Sequence, residues 1–330
     1  MRITLRSFIV PSIPLAVLLV IGCMVLWLSD FGFSGFHLPL VQSGSQGDFI
    51  ASLVGNSLIT TIIIFSVTLL NAFLLAQINN KFTIIRIRTF LPILIFLLLM
   101  AAWYPTHTQI SPHIALTLSI LAVFNFFNML RNNKASEEAF LGCLLISVSS
   151  LIINEYIFLI PVCWIGFIIF QSLSLRTFLA SVMGALAPWV LYISIIYLIN
   201  PNTNLYNLFS VNIYFGINFA SFSLIQFIYG GAMILIFIFG LIGLISMSRS
   251  DAIQTRNKLN FLMLLIFSLV VLSVIFMNHL TVFLPLIAFI YALLLSHPLT
   301  LNQNNNFNGL LFIIFITLNL AFIFLKNISL

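Results

Sequence analysis

Charged residues are scarce in this sequence. Only twelve Lys or Arg and six Asp or Glu occur in 330 residues. That is 5% charged residues, against about 25% in a soluble domain. A soluble fold of this size needs many more charges to cover its surface, so the composition excludes a soluble globular protein. The scarcity also makes each charged residue informative, because a carboxylate in so apolar a chain requires an explanation.

Cysteine and recognised catalytic motifs are scarce as well. Cys23, Cys143 and Cys163 lie inside apolar runs without the spacing of a metal site or a disulfide, so we interpret them as small buried apolar residues. The sequence contains no nucleotide-binding loop, phosphate loop, zinc motif or serine-hydrolase motif. Its basic residues stand singly or in pairs, without the clustering of a nucleic-acid-binding face, so we predict no nucleic-acid partner.

Long apolar runs are what the sequence has in abundance. Hydrophobic residues make up 62% of the chain. Apolar runs of about twenty residues, the length of a membrane-crossing helix, recur from end to end. The sequence therefore predicts an all-α polytopic transmembrane helical bundle, a single domain over residues 1–330 without a soluble part. The eleven predicted spans are 8–28, 50–77, 89–104, 113–130, 139–154, 156–174, 177–199, 222–247, 259–277, 280–296 and 309–325.

The positions of the basic residues predict the orientation of the chain. With the N-terminus in the cytoplasm, eleven of the twelve Lys and Arg fall in predicted inner segments, and only Lys326 does not. Short cytoplasmic loops of membrane proteins are rich in Lys and Arg. We therefore predict a multi-pass protein of the bacterial inner membrane with a cytoplasmic N-terminus. The predicted inner segment 297–308 contains neither Lys nor Arg, so a miscount of one span near the C-terminus is the alternative.

Carboxylates and histidines concentrate on the predicted outer face. The acids and histidines predicted there are Asp30, Asp48, Glu155, His37, His107, His113 and His279. The other three acids neighbour basic residues of the inner face and are interpreted as local charge balance; they are Glu137, Glu138 and Asp251. We expect the outer loops to form a polar pocket that opens outwards. Carboxylates in such a pocket can act as general bases or hold a divalent cation.

The same residues also have structural interpretations. Asp30 can simply end a span in water and cap a short helix, and Asp48 precedes the second span, where the helix dipole favours a carboxylate. Glu155 can be a solvated turn residue, although a carboxylate at the end of a tight helical hairpin is a functional candidate. The histidines after the third span, His107 and His113, can instead anchor in lipid headgroups.

The order of elements in the first 200 residues resembles a known class of enzymes. A first span that ends at an outer Asp, a loop with an interfacial segment, and paired spans with short basic inner turns are similar to the polyprenyl-phosphate-dependent glycosyltransferases of the GT-C class. The best local match runs from Arg131 through Ile160-Pro161 to Leu175-Arg176 and Ala187-Pro188. The same segment, together with Leu70-Asn71-Ala72 and Ile78-Asn79-Asn80-Lys81-Phe82, also resembles an uncharacterised Bacteroidota family of polytopic inner-membrane proteins.

This resemblance implies an architecture, a function and residue roles. Residues 1–200 would form a GT-C-like core and 201–330 additional C-terminal spans. An envelope-biogenesis enzyme of this class would transfer a sugar from a polyprenyl-phosphate donor at the periplasmic face, with Asp30 as the base and Asp48 in reserve. A divalent metal would be optional, and no other cofactor is implied. The residues expected to line the pocket are His37, His107, His113 and Glu155. The class's usual adjacent acidic pair is missing, since Phe31 follows Asp30, so a non-catalytic member is the alternative.

Two further functions stay open on the sequence alone. A transporter or flippase for a lipid or small solute would place ionisable residues at mid-span, and the predicted spans are almost free of them. A non-catalytic subunit of a larger complex, with protein partners in the membrane, fits the charge-poor loops equally well. Membrane lipids are the partner that all three interpretations share.

Overall fold

Inside a bilayer each backbone N–H and C=O must find its partner within the protein, so long apolar segments fold as helices. The computed structural model of the chain describes residues 17, 20–27, 57–107, 109–130, 132, 135–199, 223–247, 251–276, 279–301 and 306–328. In these ranges the chain forms eleven helices and no strands, which confirms the predicted all-α polytopic bundle.

The helices follow the predicted spans closely in position. They are α1 (20–27), α2 (Ser57–Phe82), α3 (Leu91–Ala102), α4 (Ser111–Asn128), α5 (Ser136–Ile152), α6 (Leu159–Ile169), α7 (Leu175–Ile199), α8 (Leu224–Met247), α9 (Ile253–Ile275), α10 (Leu280–Leu301) and α11 (Asn306–Ile328). Short 3-10 turns, Tyr104–His107 and Asn154–Phe158, precede α4 and α6. Seven of the described helices, α2, α4 and α7 to α11, are long and apolar enough to cross a membrane.

Two helices are shorter than predicted. The sequence predicted spans at 89–104 and 156–174, whereas α3 has 12 residues and α6 has 11. At about 1.5 Å per residue they extend roughly 18 and 16 Å, about half of a hydrocarbon core of about 30 Å. The 3-10 turn Asn154–Phe158 takes up the start of the second predicted span. α3 packs against α2, α10 and α11, and ten of its residues are buried, so it is a core helix.

Contacts between distant segments define two ends of the bundle. Arg86, Asp251 and His297 meet at one end, which we call the inner end. Rings of Trp103, Tyr229 and Phe322 stack at the other, which we call the outer end. Each group joins segments that the predicted topology placed on one side, so α3 and α8 to α11 run in the alternating directions of that topology. The two names follow the predicted sides, and the side of the membrane that each end faces stays a prediction.

The closest helix pair is α5 with α7. A Cβ atom added at Gly184 would clash with the carbonyl oxygen of Phe140, so only glycine allows this approach. The hydroxyl of Ser147 donates to the carbonyl of Ala185, which joins the two helices a second time. Small residues and interhelical hydrogen bonds drive packing in membranes, where apolar contact with lipid competes with apolar contact between helices. This pairing fixes the position of α7 in the bundle.

Candidate functional site

The connection between α3 and α4 corresponds to the outer loop after the third predicted span and holds both of its histidines. α3 ends at Ala102, a single 3-10 turn follows, and α4 begins with Pro112 in its first turn. Proline suits this position because the first helical N–H groups have no partner within the helix. The tight connection turns His107 and His113 into the bundle, where they are 3% and 0% exposed. Both residues are therefore buried at the outer end instead of lying in an exposed loop.

His113 is held by hydrogen bonds at both ring nitrogens. Its Nε2 lies 2.8 Å from the carbonyl oxygen of Thr106. A carbonyl only accepts, so Nε2 carries a proton and donates. The Nδ1 atom lies 3.0 Å from the hydroxyl of Thr68 on α2. His113 thus ties the 3-10 turn and α2 to the first turn of α4.

Asn71 extends this network along α2. Its side-chain nitrogen donates to the carbonyl of His113 over 3.1 Å, and its oxygen accepts the hydroxyl of Thr117 over 2.8 Å. Asn71 is fully buried, and an amide in hydrocarbon is stabilised when both its donor and its acceptor find partners across helices. The predicted pocket-lining role of His113 stays a prediction, since these contacts give the residue a helix-joining role of its own.

His107 is placed by α1 and α3. Its Nε2 lies 2.8 Å from the carbonyl oxygen of Met100, and its ring stacks on Trp27 with centroids 3.7 Å apart. Trp27 is the last described residue of α1 and stands three positions before the predicted base, Asp30, in the sequence. The described end of α1 is therefore packed directly on the histidine pair.

Glu155 occupies a second polar position at the outer end. The 3-10 turn Asn154–Phe158 carries it, and its Oε1 lies 3.7 Å from Nδ1 of His279, just before α10. Its side chain is 13% exposed and that of His279 42%, so water or a headgroup reaches the pair. The neighbouring Tyr156 is buried and donates its hydroxyl to the carbonyl of Val282, which locks the turn onto α10. The structure thus joins Glu155 to His279, another of the histidines predicted on the outer face.

An apolar groove of about 420 Å³ begins at this turn. It runs between α6 and α7, and the residues that define it are Ile157, Ile160, Trp164, Ala185, Trp189 and Ile193. The indole nitrogens of Trp164 and Trp189 donate to Ser181 and Ser150, over 3.0 and 2.9 Å, so both rings present their apolar faces to the groove. α7 exposes apolar side chains beside it, including Met183 at 64% exposure, as expected for a surface that faces lipid.

A charged cluster at the inner end differs from its predicted role. Asp251 was interpreted as local charge balance, yet its side chain is 0% exposed. Its Oδ1 lies 2.7 Å from a guanidinium nitrogen of Arg86, and its Oδ2 lies 3.4 Å from Nε2 of His297. A buried carboxylate needs such partners because desolvation strongly disfavours an isolated charge. The sequence signal was His297, the only histidine predicted to face inwards.

Comparisons of this chain with known proteins found no match. It matches no family model, no curated protein and no solved structure.

The remaining predicted site residues lie outside the described part of the chain. Asp30, Asp48 and His37 belong to this group, and their roles stay predictions. Within the described ranges, His, Cys, Asp and Glu side chains form no group of three or more that could hold a metal ion. The described outer end therefore consists of the histidine pair, the Glu155–His279 pair and the groove.

Proposed function

We propose that the protein is a membrane-embedded transferase that takes a sugar from a polyprenyl-phosphate donor. The observation that supports this proposal is the groove between α6 and α7. Its walls are apolar and open towards the lipid-facing surface of α7, and it begins at the turn that carries Glu155. A polyprenyl-phosphate-linked sugar has the matching two parts, a long apolar chain and a polar head.

The dimensions of the groove fit one lipid chain. Along α7 its lining extends from Val182 to Ile193, eleven helical steps that rise about 16 Å. This is close to half of the roughly 30 Å hydrocarbon core, the depth of one leaflet. Its volume of about 420 Å³ also falls within the range of roughly 300–1,000 Å³ that is usual for ligand sites. A chain in the groove would carry its head at the level of Glu155 and His279.

The proposed reaction is a direct displacement at the anomeric carbon. Asp30, or Asp48 in its place, takes the proton of the acceptor hydroxyl, and the acceptor oxygen attacks the anomeric carbon. The bond between that carbon and the phosphate oxygen breaks, and the oxygen keeps the electron pair as polyprenyl phosphate leaves. Glu155 and His279 would hydrogen-bond the sugar hydroxyls and orient the donor.

A displacement assay tests whether the groove binds the donor chain. Bromine atoms on lipid chains quench tryptophan on contact, and two of the chain's four tryptophans, Trp164 and Trp189, line the groove. In nanodiscs of brominated phospholipid, added polyprenyl phosphate should displace the brominated chain and restore fluorescence. The variant Ala185→Phe fills the groove and should lose this recovery. Met183→Phe, a lipid-exposed change on the same helix, should keep it. Equal recovery in both variants contradicts the proposal.

Transfer itself is tested with the predicted base. Purified protein is supplied with radiolabelled polyprenyl-phosphate hexoses and membrane acceptors, and labelled product is measured. Asp30→Asn should abolish transfer while the protein still inserts into the membrane. Wild-type transfer by that variant would exclude Asp30 as the base, and the same experiment on Asp48→Asn then tests the reserve candidate.

A further inference from the structure

A second cleft, of about 200 Å³, lies at the inner end of the bundle. It is bounded by the last turns of α2, the first turn of α3 and the loop between them. The residues that define it are Leu75, Asn79, Asn80, Arg88, Thr89 and Ile93. Asn79 and Asn80 lie in the last turn of α2, and Arg88 and Thr89 lie just before α3. Leu75 and Ile93 lie about one turn further into α2 and α3. The cleft therefore has a polar half at the membrane edge and an apolar half towards the bilayer.

The polar half presents hydrogen-bond donors to a ligand. The side-chain oxygen of Asn79 already accepts the N–H of Ile85 over 2.9 Å, and the hydroxyl oxygen of Thr89 accepts the N–H of Leu91 over 3.1 Å. These bonds leave the NH₂ group of Asn79 and the O–H of Thr89 as donors available to a ligand in the cleft. A ligand that satisfies both must be an acceptor.

The cleft is also positively charged. Arg88 makes no ion pair with any described residue, in contrast to Arg86, which pairs with Asp251. The N-terminus of α3, with its partial positive charge, borders the same cleft. A guanidinium presents paired N–H donors that match the geometry of a phosphate group. Charge, donors and shape all favour a phosphate.

We propose that this cleft binds the phosphate headgroup of an anionic phospholipid. The phosphate lies against Arg88, Asn79 and Thr89, and the first carbons of the chains lie against Leu75 and Ile93. Basic pockets at the edge of membrane helices bind anionic headgroups in this way. Inorganic phosphate offers the same acceptors, but it leaves the apolar half of the cleft empty. The site lies at the opposite end of the bundle from the groove and does not depend on the proposed transfer reaction.

Native mass spectrometry of the purified full-length protein tests this site. The protein is titrated in detergent with dioleoyl phosphatidylglycerol, with dioleoyl phosphatidylcholine and with inorganic phosphate. Phosphatidylglycerol should bind more tightly than phosphatidylcholine, whose positive choline group repels Arg88. Arg88→Gln should weaken phosphatidylglycerol binding about fivefold. Arg256→Gln removes the same charge from an exposed position on α9 and should leave binding unchanged.

A second variant places a competing charge in the cleft without touching its buried residues. Asn80 is exposed and lines the cleft, so Asn80→Asp should engage Arg88 and weaken lipid binding. Gln77→Glu adds the same charge on an exposed position of α2 outside the cleft and should have no effect. An equal loss of phosphatidylglycerol binding in a variant and in its control would overturn the site. Displacement of phosphatidylglycerol by an equal concentration of inorganic phosphate would overturn the lipid assignment.

Discussion

At the scale of single residues, buried polar side chains hold the helices of this bundle together. Asn71 bonds across two helices, whereas Asn125 donates only to the carbonyl of Leu121 in its own helix. Interhelical hydrogen bonds in membranes contribute about 0.6 kcal/mol on average and up to about 1.7 kcal/mol. We expect Asn71→Ala to lower the free energy of unfolding by about 1 kcal/mol, and Asn125→Ala by clearly less. Denaturant unfolding in micelles measures both, and equal losses would contradict the network.

The ion pair of the half-exposed Arg86 and the buried Asp251 gives a second residue-scale prediction. Removing one partner of a buried pair lowers stability by about 3–5 kcal/mol, because the other charge stays buried and unpaired. Arg86 is 44% exposed, so we expect a smaller loss of about 2 kcal/mol for Arg86→Met. The double variant Arg86→Met with Asp251→Leu should be more stable than the single one. Arg256→Met removes an exposed charge and serves as the control. Denaturant unfolding in micelles measures the free energy of unfolding of the wild type and of the three variants.

Sequence reasoning found some of these residues and missed the partners of others. His107, His113 and Glu155 stand out in a chain with so few polar groups, so composition alone was enough to select them. The burial and the partners of Asp251 were missed, because Arg86 and His297 are far away from it in sequence. The position of a charge relative to a bilayer can be predicted from a sequence, whereas the side chains that surround it depend on the packing of distant helices.

At the scale of helices, the pairing of α5 with α7 depends on one glycine. A methyl group at Gly184 meets backbone atoms of Phe140, which cannot rotate away. We expect Gly184→Ala to lower the free energy of unfolding by about 1–3 kcal/mol, as overpacking does. Gly230→Ala on α8 has open space around its Cβ and should raise it by about 0.5–1 kcal/mol through helix propensity. Denaturant unfolding measures both changes in the free energy of unfolding. Changes of opposite sign support the close contact of Gly184 with Phe140, and changes of the same sign contradict it.

Helix positions were predictable from the sequence, and helix lengths were less so. Apolar runs predicted every described helix because a bilayer requires about twenty such residues in each crossing segment. The lengths of α3 and α6 were overestimated, since an apolar run looks the same in a buried core helix and in a full span. The groove between α6 and α7 was not predictable either, because it depends on the angle at which the two helices pack.

At the scale of the whole molecule, the alternation of the helices can be mapped with single cysteines. The natural cysteines Cys23, Cys143 and Cys163 are buried, so they should not react with a membrane-impermeant maleimide. We expect Ile87→Cys at the inner end to react only in inside-out membrane vesicles, and His279→Cys at the outer end only in right-side-out vesicles. Labelling of both positions from one side would contradict the alternation. Labelling with the sides exchanged would contradict the orientation predicted from basic residues.

The burial of α3 has a consequence for how the chain is made. This helix spans only Leu91–Ala102, and α10 and α11 cover much of its surface. A ribosome that has synthesised the first 250 residues has released α3 but neither of those two helices. During that interval α3 is too short to cross the bilayer alone and lacks the neighbours that enclose it. We therefore expect α3 to become fully enclosed only when α10 and α11 have emerged, so that late helices cover an early segment of the chain.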